Sequence, residues 1–386
     1  MTVNFGAAAG ATEQRVFLNF GEHGRELITT DVGLRVLHML ASGPEAAARE
    51  AGNPAAASAL ARTVFKIVPN ENEGGRAKVE AGELCLRKNG RGVDTNRNWE
   101  VDWGVKEKDY DPYEEYPGTR PFSEPEAQLL RTQLAAFAPH AWVNVHSGME
   151  AMFMPYDHKA EEASGPTGAG MRAVLEALAK TRCPRCVVGS GGGSVGYLAH
   201  GTATDHVFVK MGVPAAFTRE IYGDEAAGMD DCFKMFNPLE RGLHDAVVAT
   251  WAGACVDLPA LLALQPSILG VNATASLPAG ADASAAAAAA ARLRGLGSSQ
   301  AGVAVLQVRG TSRGPVALSQ ERGALAAPAP VHFSSGWGWG AAGGGALSVA
   351  GIGAMQRSGR LGRLRGVLLR SRLAGGEDSA VSKQTV

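Results

Sequence analysis

The run Gly21-Glu22-His23-Gly24-Arg25-Glu26 sets an imidazole and a carboxylate three residues apart, just where the strand-like Arg15-Val16-Phe17-Leu18-Asn19-Phe20 ends. Near a strand-to-helix turn, that spacing can bring a His nitrogen and a Glu oxygen to one side of the chain, two ligands for a zinc ion. Alone the pair is a weak signal, because His-x-x-Glu arises often by chance and a surface turn is its commoner meaning. A third ligand has to come from far along the chain. His146 closes the strand-like Trp142-Val143-Asn144-Val145, and the ends of strands are where α/β sites assemble.

Arg91-Gly92-Val93-Asp94-Thr95-Asn96-Arg97-Asn98-Trp99 sharpens this reading. With it the chain resembles the zinc metallocarboxypeptidases, the carboxypeptidase A-like peptidases, to which Gly-Val-Asp-x-Asn-Arg-Asn-Trp is highly specific. The other signatures stand in family order: His23/Glu26, then Arg87 in Leu86-Arg87-Lys88, then Asn96-Arg97, then His146-Ser147. Tyr197 follows, eight residues before Asp205, and Glu220 comes last in Phe217-Thr218-Arg219-Glu220. The resemblance covers residues 14–257, and the wording around Tyr197 and in Ile221-Tyr222-Gly223-Asp224 is most similar to plant-type members.

The resemblance implies a role for each position. His23, Glu26 and His146 hold one zinc ion and leave a place for water, whose pKa zinc lowers to about 7. Glu220 takes the proton of that zinc-bound water as general base and passes it to the leaving amine. Arg87 stabilises the developing oxyanion. Asn96 and Arg97 grip the free C-terminal carboxylate, for which a guanidinium fork is suited, so that terminal residues are removed and internal bonds are spared. Tyr197 closes over the bound terminus, and Asp94 accepts the far N–H of a zinc-bound His. Thr204 lies where relatives place the base of the specificity pocket. An acid there selects basic termini and a branched apolar residue selects apolar ones, so threonine points to a small or neutral terminal residue.

Three features depart from the family pattern. Only 22 residues precede His23, whereas the family has some tens more, including a strand hairpin that begins the sheet; either the gene product is incomplete or one sheet edge is uncovered, an aggregation liability. Arg219 alternates with Glu220 and so faces the opposite, normally apolar side, where an unpaired guanidinium is costly; it either finds a carboxylate or disturbs the strand. Tyr222 occupies a position where pancreatic-type relatives carry Arg.

The elements that must position these residues alternate between strand-like and helix-like. A helix is expected from about Glu26 to Leu40, with Leu34, Leu37 and Leu40 on one stripe. Val64–Val68 reads as a second strand, stopped by Pro69-Asn70. Pro125 to Phe137 reads as a helix, with Ser123 as N-cap and Glu126 closing a capping box. Trp142–Val145 is a third strand, a fourth begins at Pro214–Phe217, and residues 239–255 form a closing helix. The expected fold is α/β, a mixed, mostly parallel twisted sheet with helices on both faces, as in carboxypeptidases. Gly191-x-Gly193-x-x-Gly196 matches a dinucleotide-binding pattern but is followed by His200-Gly201 in place of a helix and preceded by a poor strand at Val187-Val188, so that reading is rejected. Cys183-Pro184-Arg185-Cys186 lacks a thioredoxin-like setting and reads as a local disulfide or two free thiols.

Composition frames the rest. Of 386 residues, 50 are Gly and 19% are charged, which points to low-complexity stretches diluting a folded part. Residues 258–386 carry 12 Lys/Arg and 4 Asp/Glu, a net of +8, leaving −9 for residues 1–257. The overall charge of −1 excludes a surface built throughout to grip nucleic acid or anionic membrane. The tail after Asp257, with the alanine run Ala285–Ala291 and Gly336-Trp337-Gly338-Trp339-Gly340, is expected to be disordered, with at most a transient helix over 357–373. Its six arginines there read as a solvated basic face. No run of 18 or more apolar residues is present, so no membrane helix is expected. The N-terminus lacks the basic and apolar regions of a signal peptide, and the compartment stays open, although the resemblance favours the secretory pathway or outside the cell. Five cysteines are too few and odd in number for a disulfide framework or a four-thiolate zinc site.

These readings converge on a zinc-dependent exopeptidase that hydrolyses the last peptide bond of peptides or proteins, expected to be a monomer without nucleic-acid partners. The alternatives are a catalytically inactive scaffold of the same fold that binds C-termini, or a related zinc amidohydrolase or deglutamylase.

Overall fold

The computed structural model of the chain describes residues 1–5 and 14–270. Seven strands form one sheet: β1 (Thr2–Asn4), β2 (Gln14–Phe20), β3 (Thr63–Val68), β4 (Ala141–His146), β5 (Met149–Met154), β6 (Val187–Ser190) and β7 (Ala215–Tyr222), in the order β1-β3-β2-β4-β7-β5-β6. The central strands β3, β2, β4 and β7 run parallel, β1 is antiparallel to β3, and β5 is antiparallel to β7 and parallel to β6. The mixed, mostly parallel sheet expected from the sequence is therefore present. Parallel neighbours need long crossovers, here helical, and these cover the two faces.

Alternation along the strands divides the core. Val16, Leu18 and Phe20 of β2, Val143 and Val145 of β4 and Phe217 and Ile221 of β7 belong to a core that also holds Val32, Val36 and Leu40 of helix Leu27–Ala41 and Trp251, Val256 and Leu258 of helix Arg241–Ala263. On the other face Phe17, Trp142 and Ala216 pack with Trp99, Leu130, Leu134 and Val207. Each fully buried large side chain of this kind contributes about 1.5–3 kcal/mol relative to exposure. Asn144 and His146 share parity with Trp142, and Thr218 and Glu220 with Ala216, so the polar residues of interest extend the second face. The stretch Cys232–Ala263 is long and apolar enough by composition to cross a membrane, but 61% of its most apolar window is buried inside the domain, as in a core helix.

Several local expectations change. Leu40 is buried, but Leu34 is 53% exposed; the buried stripe runs through Ile28, Val32, Val36 and Met39 instead. The N-cap of helix Pro125–Phe137 is Glu124, without a side-chain cap bond. Ser123 Oγ instead donates to Glu124 Oε1 and accepts from Asn98 Nδ2, and Glu126 accepts from Asn89 Nδ2, so no capping box forms. Val187-Val188 does form a strand, because β5 offers a parallel partner. The closing helix passes through Asp257 and ends at Ala263, and Ile268 beyond it is buried, so ordered structure continues past the composition change. The basic, Gly- and Ala-rich tail after Gly270, with the helix expected over 357–373, lies outside the described residues.

Arg219 neither finds a carboxylate nor breaks β7. Its side chain is fully buried, Nη1 donates to Cys255 Sγ at 3.4 Å, and Nε and Nη2 have no partner among the described residues. Of the two readings left open for Cys183 and Cys186, the local disulfide is the one present; Cys85 bridges to Cys232 across 147 residues, a link not expected from the sequence, and Cys255 is free and buried.

Candidate active site

Of the residues singled out from the sequence, His23, Glu26, His146 and Glu220 gather at the C-terminal ends of β2, β4 and β7, with Arg87 and Asp94 beside His23, while Arg97 and Tyr197 line a cleft of their own. Gly21 (φ 70°) turns the chain out of β2; a Cβ there would lie 2.5 Å from Asn70 Oδ1, so only glycine fits. The turn closes with Glu26 N donating to His23 O, and helix Leu27–Ala41 starts at once. His146 is the last residue of β4 and lies in register with Glu220 on β7.

His23 Nδ1 lies 2.6 Å from Glu26 Oε1, His146 Nδ1 lies 3.1 Å from Glu26 Oε2, and the two Nδ1 atoms are 3.2 Å apart. All three side chains are buried. The outer ring nitrogens also meet carboxylates: His23 Nε2 lies 3.2 Å from Asp94 Oδ1, and His146 Nε2 lies 3.2 Å from Glu22 Oε2. An imidazole that donates its Nε2–H outward turns an Nδ1 lone pair inward. Two lone pairs and one carboxylate facing each other at these distances are a fitting donor set for a cation, and two imidazoles with a carboxylate suit zinc. Glu22, His23 and His146 also form a group of possible metal donors within 4.8 Å. Burial disfavours charge on both Glu26 and His146, but their mutual attraction prevails: Glu26, facing the two imidazoles, is held far below the usual carboxylate range, and His146, facing Glu26 and Glu22, lies well above the usual imidazole value.

Glu220 is half-buried on the strand beside His146, and its Oε2 is buried with no partner among the described residues. Burial raises its pKa to about 7, with His146 pulling down and Glu26 pushing up. Arg87 donates through Nε to Asp94 Oδ2 at 2.9 Å, and its Nη1 lies 3.2 Å from His23 Nδ1. Burial opposes the Asp94 charge, yet Arg87 and His23 hold this carboxylate well below its ordinary range. Asp94 Oδ1 also accepts from Asn96 N, so one carboxylate orients His23, Arg87 and the Asn96 backbone together.

Asn96 Oδ1 accepts from Ala203 N at 2.9 Å. Arg97 lines a cleft with Tyr110, Glu115, Tyr197 and His200. Tyr197 is exposed, beyond the one-turn helix Gly191–Ser194. The glycines of that segment pack tightly: a Cβ on Gly191 would lie 2.1 Å from Asp157 Oδ1, and one on Gly192 would lie 2.5 Å from Lys159 O. Close packing therefore accounts for them. Thr204 is buried, with Oγ1 2.8 Å from Thr218 Oγ1 and within 3.4 Å of Trp142 Nε1. Tyr222 is buried, and its hydroxyl donates to Lys234 O.

Glu22 and Glu115 were not singled out as site residues from the sequence. Glu22 stands inside the quoted Gly-Glu-His run, where its neighbour His23 drew the reading. Glu115 sits in an acid-rich stretch that gives no local sign of its contact with Arg97.

Comparison with known proteins agrees with this architecture. The family model described as zinc carboxypeptidase matches residues 1–253. Carboxypeptidase B of Astacus astacus is 24% identical over 226 residues, covering 55% of this chain and 71% of that protein. Human carboxypeptidase A6 is 31% identical over 139 residues, 34% of this chain and 31% of the human protein's length. Among solved structures, bovine thrombin-activatable fibrinolysis inhibitor in complex with tick carboxypeptidase inhibitor aligns with a TM-score of 0.51 at 20% identity, covering 66% of this chain and 84% of that one. Carboxypeptidase A of Helicoverpa armigera aligns with the same TM-score and identity over 68% of this chain and 63% of its own. With the family match spanning the whole sheet and every strand-end residue described above, the chain belongs to the zinc carboxypeptidase family.

Proposed function

We propose that this chain is an active metallocarboxypeptidase that removes single residues from the C-termini of peptides or proteins. The observation that carries the reading is the convergence of His23 Nδ1, His146 Nδ1 and both Glu26 oxygens within 3.2 Å, with Glu220 in register on the next strand.

His23, Glu26 and His146 are the residues that would hold zinc, which when bound supplies Lewis acidity toward water and the scissile carbonyl. Glu220 takes the proton of the attacking water and returns it to the departing amine; a carboxylate near pH 7 is well poised for both transfers. Arg87, fixed by Asp94, offers N–H groups to the oxygen on which negative charge grows, stabilising the transition state more than the ground state. Asn96 and Arg97 hold the terminal carboxylate, Tyr197 covers it, and Thr204 with Thr218 forms a hydroxyl-lined pocket floor that favours small or neutral terminal side chains.

The test is trimming of a mixed peptide library by the purified chain, read by mass spectrometry with zinc, with a chelator, and with Glu220→Gln. Loss of single C-terminal residues that stops in both controls is expected. No trimming by folded, zinc-loaded protein would overturn the activity and leave a C-terminus-binding scaffold. Fastest release of Lys or Glu would overturn the pocket assignment.

A further inference from the structure

Each imidazole of the site is held between two carboxylates. For His23 these are Glu26 on Nδ1 and Asp94 on Nε2; for His146 they are Glu26 on Nδ1 and Glu22 on Nε2. The two nitrogens of one ring point apart, so an ion shared by both Nδ1 atoms and Glu26 lies on the opposite side of His146 from Glu22. Proximity alone would make Glu22 a fourth donor, but the ring geometry puts it behind His146.

Resting on the metal site proposed above, we propose that Glu22 is the positioning residue of His146: it accepts the Nε2–H and so keeps the Nδ1 lone pair turned toward the metal. Nε2 is buried with no partner in hydrogen-bond geometry among the described residues, and Glu22 Oε2, 3.2 Å away, is an acceptor within its reach. Glu22 is fully buried and is itself held. Asn144 Nδ2 donates to Glu22 Oε2 at 2.6 Å, and Asn19 Nδ2 donates to Asn144 Oδ1 at 2.9 Å and to Glu71 Oε2 at 2.6 Å. Asn19 and Asn144 face each other in register across β2 and β4, so the sheet itself fixes the position of Glu22. A buried carboxylate held by a chain of side-chain amides, with its other neighbour an imidazole nitrogen, has the form of an outer metal shell. It also strengthens the ligand, because a carboxylate acceptor makes the opposite ring nitrogen more basic.

The test is zinc affinity of the full chain, measured by competition with a chromophoric chelator, together with the absorption spectrum of the cobalt-loaded protein. Glu22→Gln retains a carbonyl acceptor but loses the charge, and is expected to bind zinc about tenfold more weakly; Glu22→Met loses both and is expected to approach about 100-fold. The cobalt band positions are expected to stay, since the ligand set is unchanged. Unaltered zinc affinity in Glu22→Gln overturns the proposal, and this variant decides the matter if Glu22→Met does not fold. A cobalt spectrum showing a changed ligand set also overturns it, by making Glu22 a direct ligand. Glu26→Gln separates the two levels: if it leaves zinc affinity intact, the metal site is misassigned, whatever Glu22 does.

Discussion

Arg97 turns its whole guanidinium inward: Nη2 and Nε donate to one oxygen of Glu115 at 2.6 and 3.2 Å, and Nη1 donates to Asn96 O at 3.0 Å. A substrate carboxylate approaching this cation meets a resident one and must take its place. Arg97 is buried and Glu115 half-buried, so the pair is worth about 1 kcal/mol, the upper end for exposed pairs, or about fivefold in binding. Glu115→Gln is accordingly expected to lower KM for carboxylate-terminated peptides about fivefold with little change in kcat. Exchange of one anion for another depends weakly on salt, whereas an anion meeting a free cation depends strongly. The variant's KM should therefore rise with ionic strength more steeply than that of the wild type. A higher KM in the variant would mean that Glu115 steadies Arg97 for substrate instead of competing with it.

Glu220→Gln keeps the shape of the strand end and removes the proton acceptor. Turnover is expected to fall by about 10²–10⁴, with zinc content unchanged because the carboxylate is not among the proposed ligands. Metal analysis alongside initial rates checks this, and loss of zinc with the substitution would give Glu220 a different role.

Asp157 gives a pH dependence apart from the proposed metal site. Burial and the neighbouring Asp205 raise its pKa to about 7, while Thr202 Oγ1 donates to its Oδ2 at 2.7 Å. The folded pKa lies above the unfolded value of about 3.9. This group's contribution to stability is thus complete below about pH 4 and is lost as the pH rises to about 7. Asp157→Asn retains an acceptor for Thr202 and abolishes the titration. Thermal unfolding should show the variant ahead of the wild type by several °C at pH 8 and nearly level with it at pH 4. An advantage that does not grow with pH would refute the linkage.

Arg219 is a charge buried in β7 with a thiol contact and two nitrogens without a partner among the described residues. Replacing such a group by an apolar side chain of similar length often stabilises by about 1–4 kcal/mol. Arg219→Met is expected to raise the urea midpoint with an unchanged slope. A lower midpoint would show that the contact with Cys255 outweighs the desolvation.

His23, Glu26, Asp94, Arg97, His146 and Glu220 could be singled out because their motifs and their order along the chain resemble those of the zinc metallocarboxypeptidases; singly, their residue types would not have done so. Strands β2, β3, β4 and β7 were legible from short apolar runs such as Val16–Leu18, Val64-Phe65, Trp142-Val143 and Ala215–Phe217. What escaped depends on three-dimensional neighbours. Glu22 acquires its meaning from Asn144, 122 residues away, and Glu115 from the fold of an acidic loop over Arg97. Ser123 looked like a helix cap until Asn98 took its hydroxyl. Val187–Ser190, short and ending in Gly-Ser, becomes a strand only beside β5.

The link between Cys85 and Cys232 has a consequence for where this protein can mature. Cys85 stands two residues before Arg87. Cys232 opens the short helix Cys232–Phe236, whose last carbonyl accepts the hydroxyl of Ser147 and whose Phe236 ring lies 4.2 Å beneath Arg25. One covalent tie therefore anchors the segment that carries Arg87 to the wall on which His146 and Glu26 rest. Such a bond persists where thiols are oxidised and opens where glutathione keeps them reduced. With the bond closed, the segment that carries Arg87 is tied covalently to the wall beside His146 and Glu26; with it reduced, only hydrogen bonds such as Gly24 N to Arg87 O and Arg25 Nη1 to Cys85 O hold that segment in place.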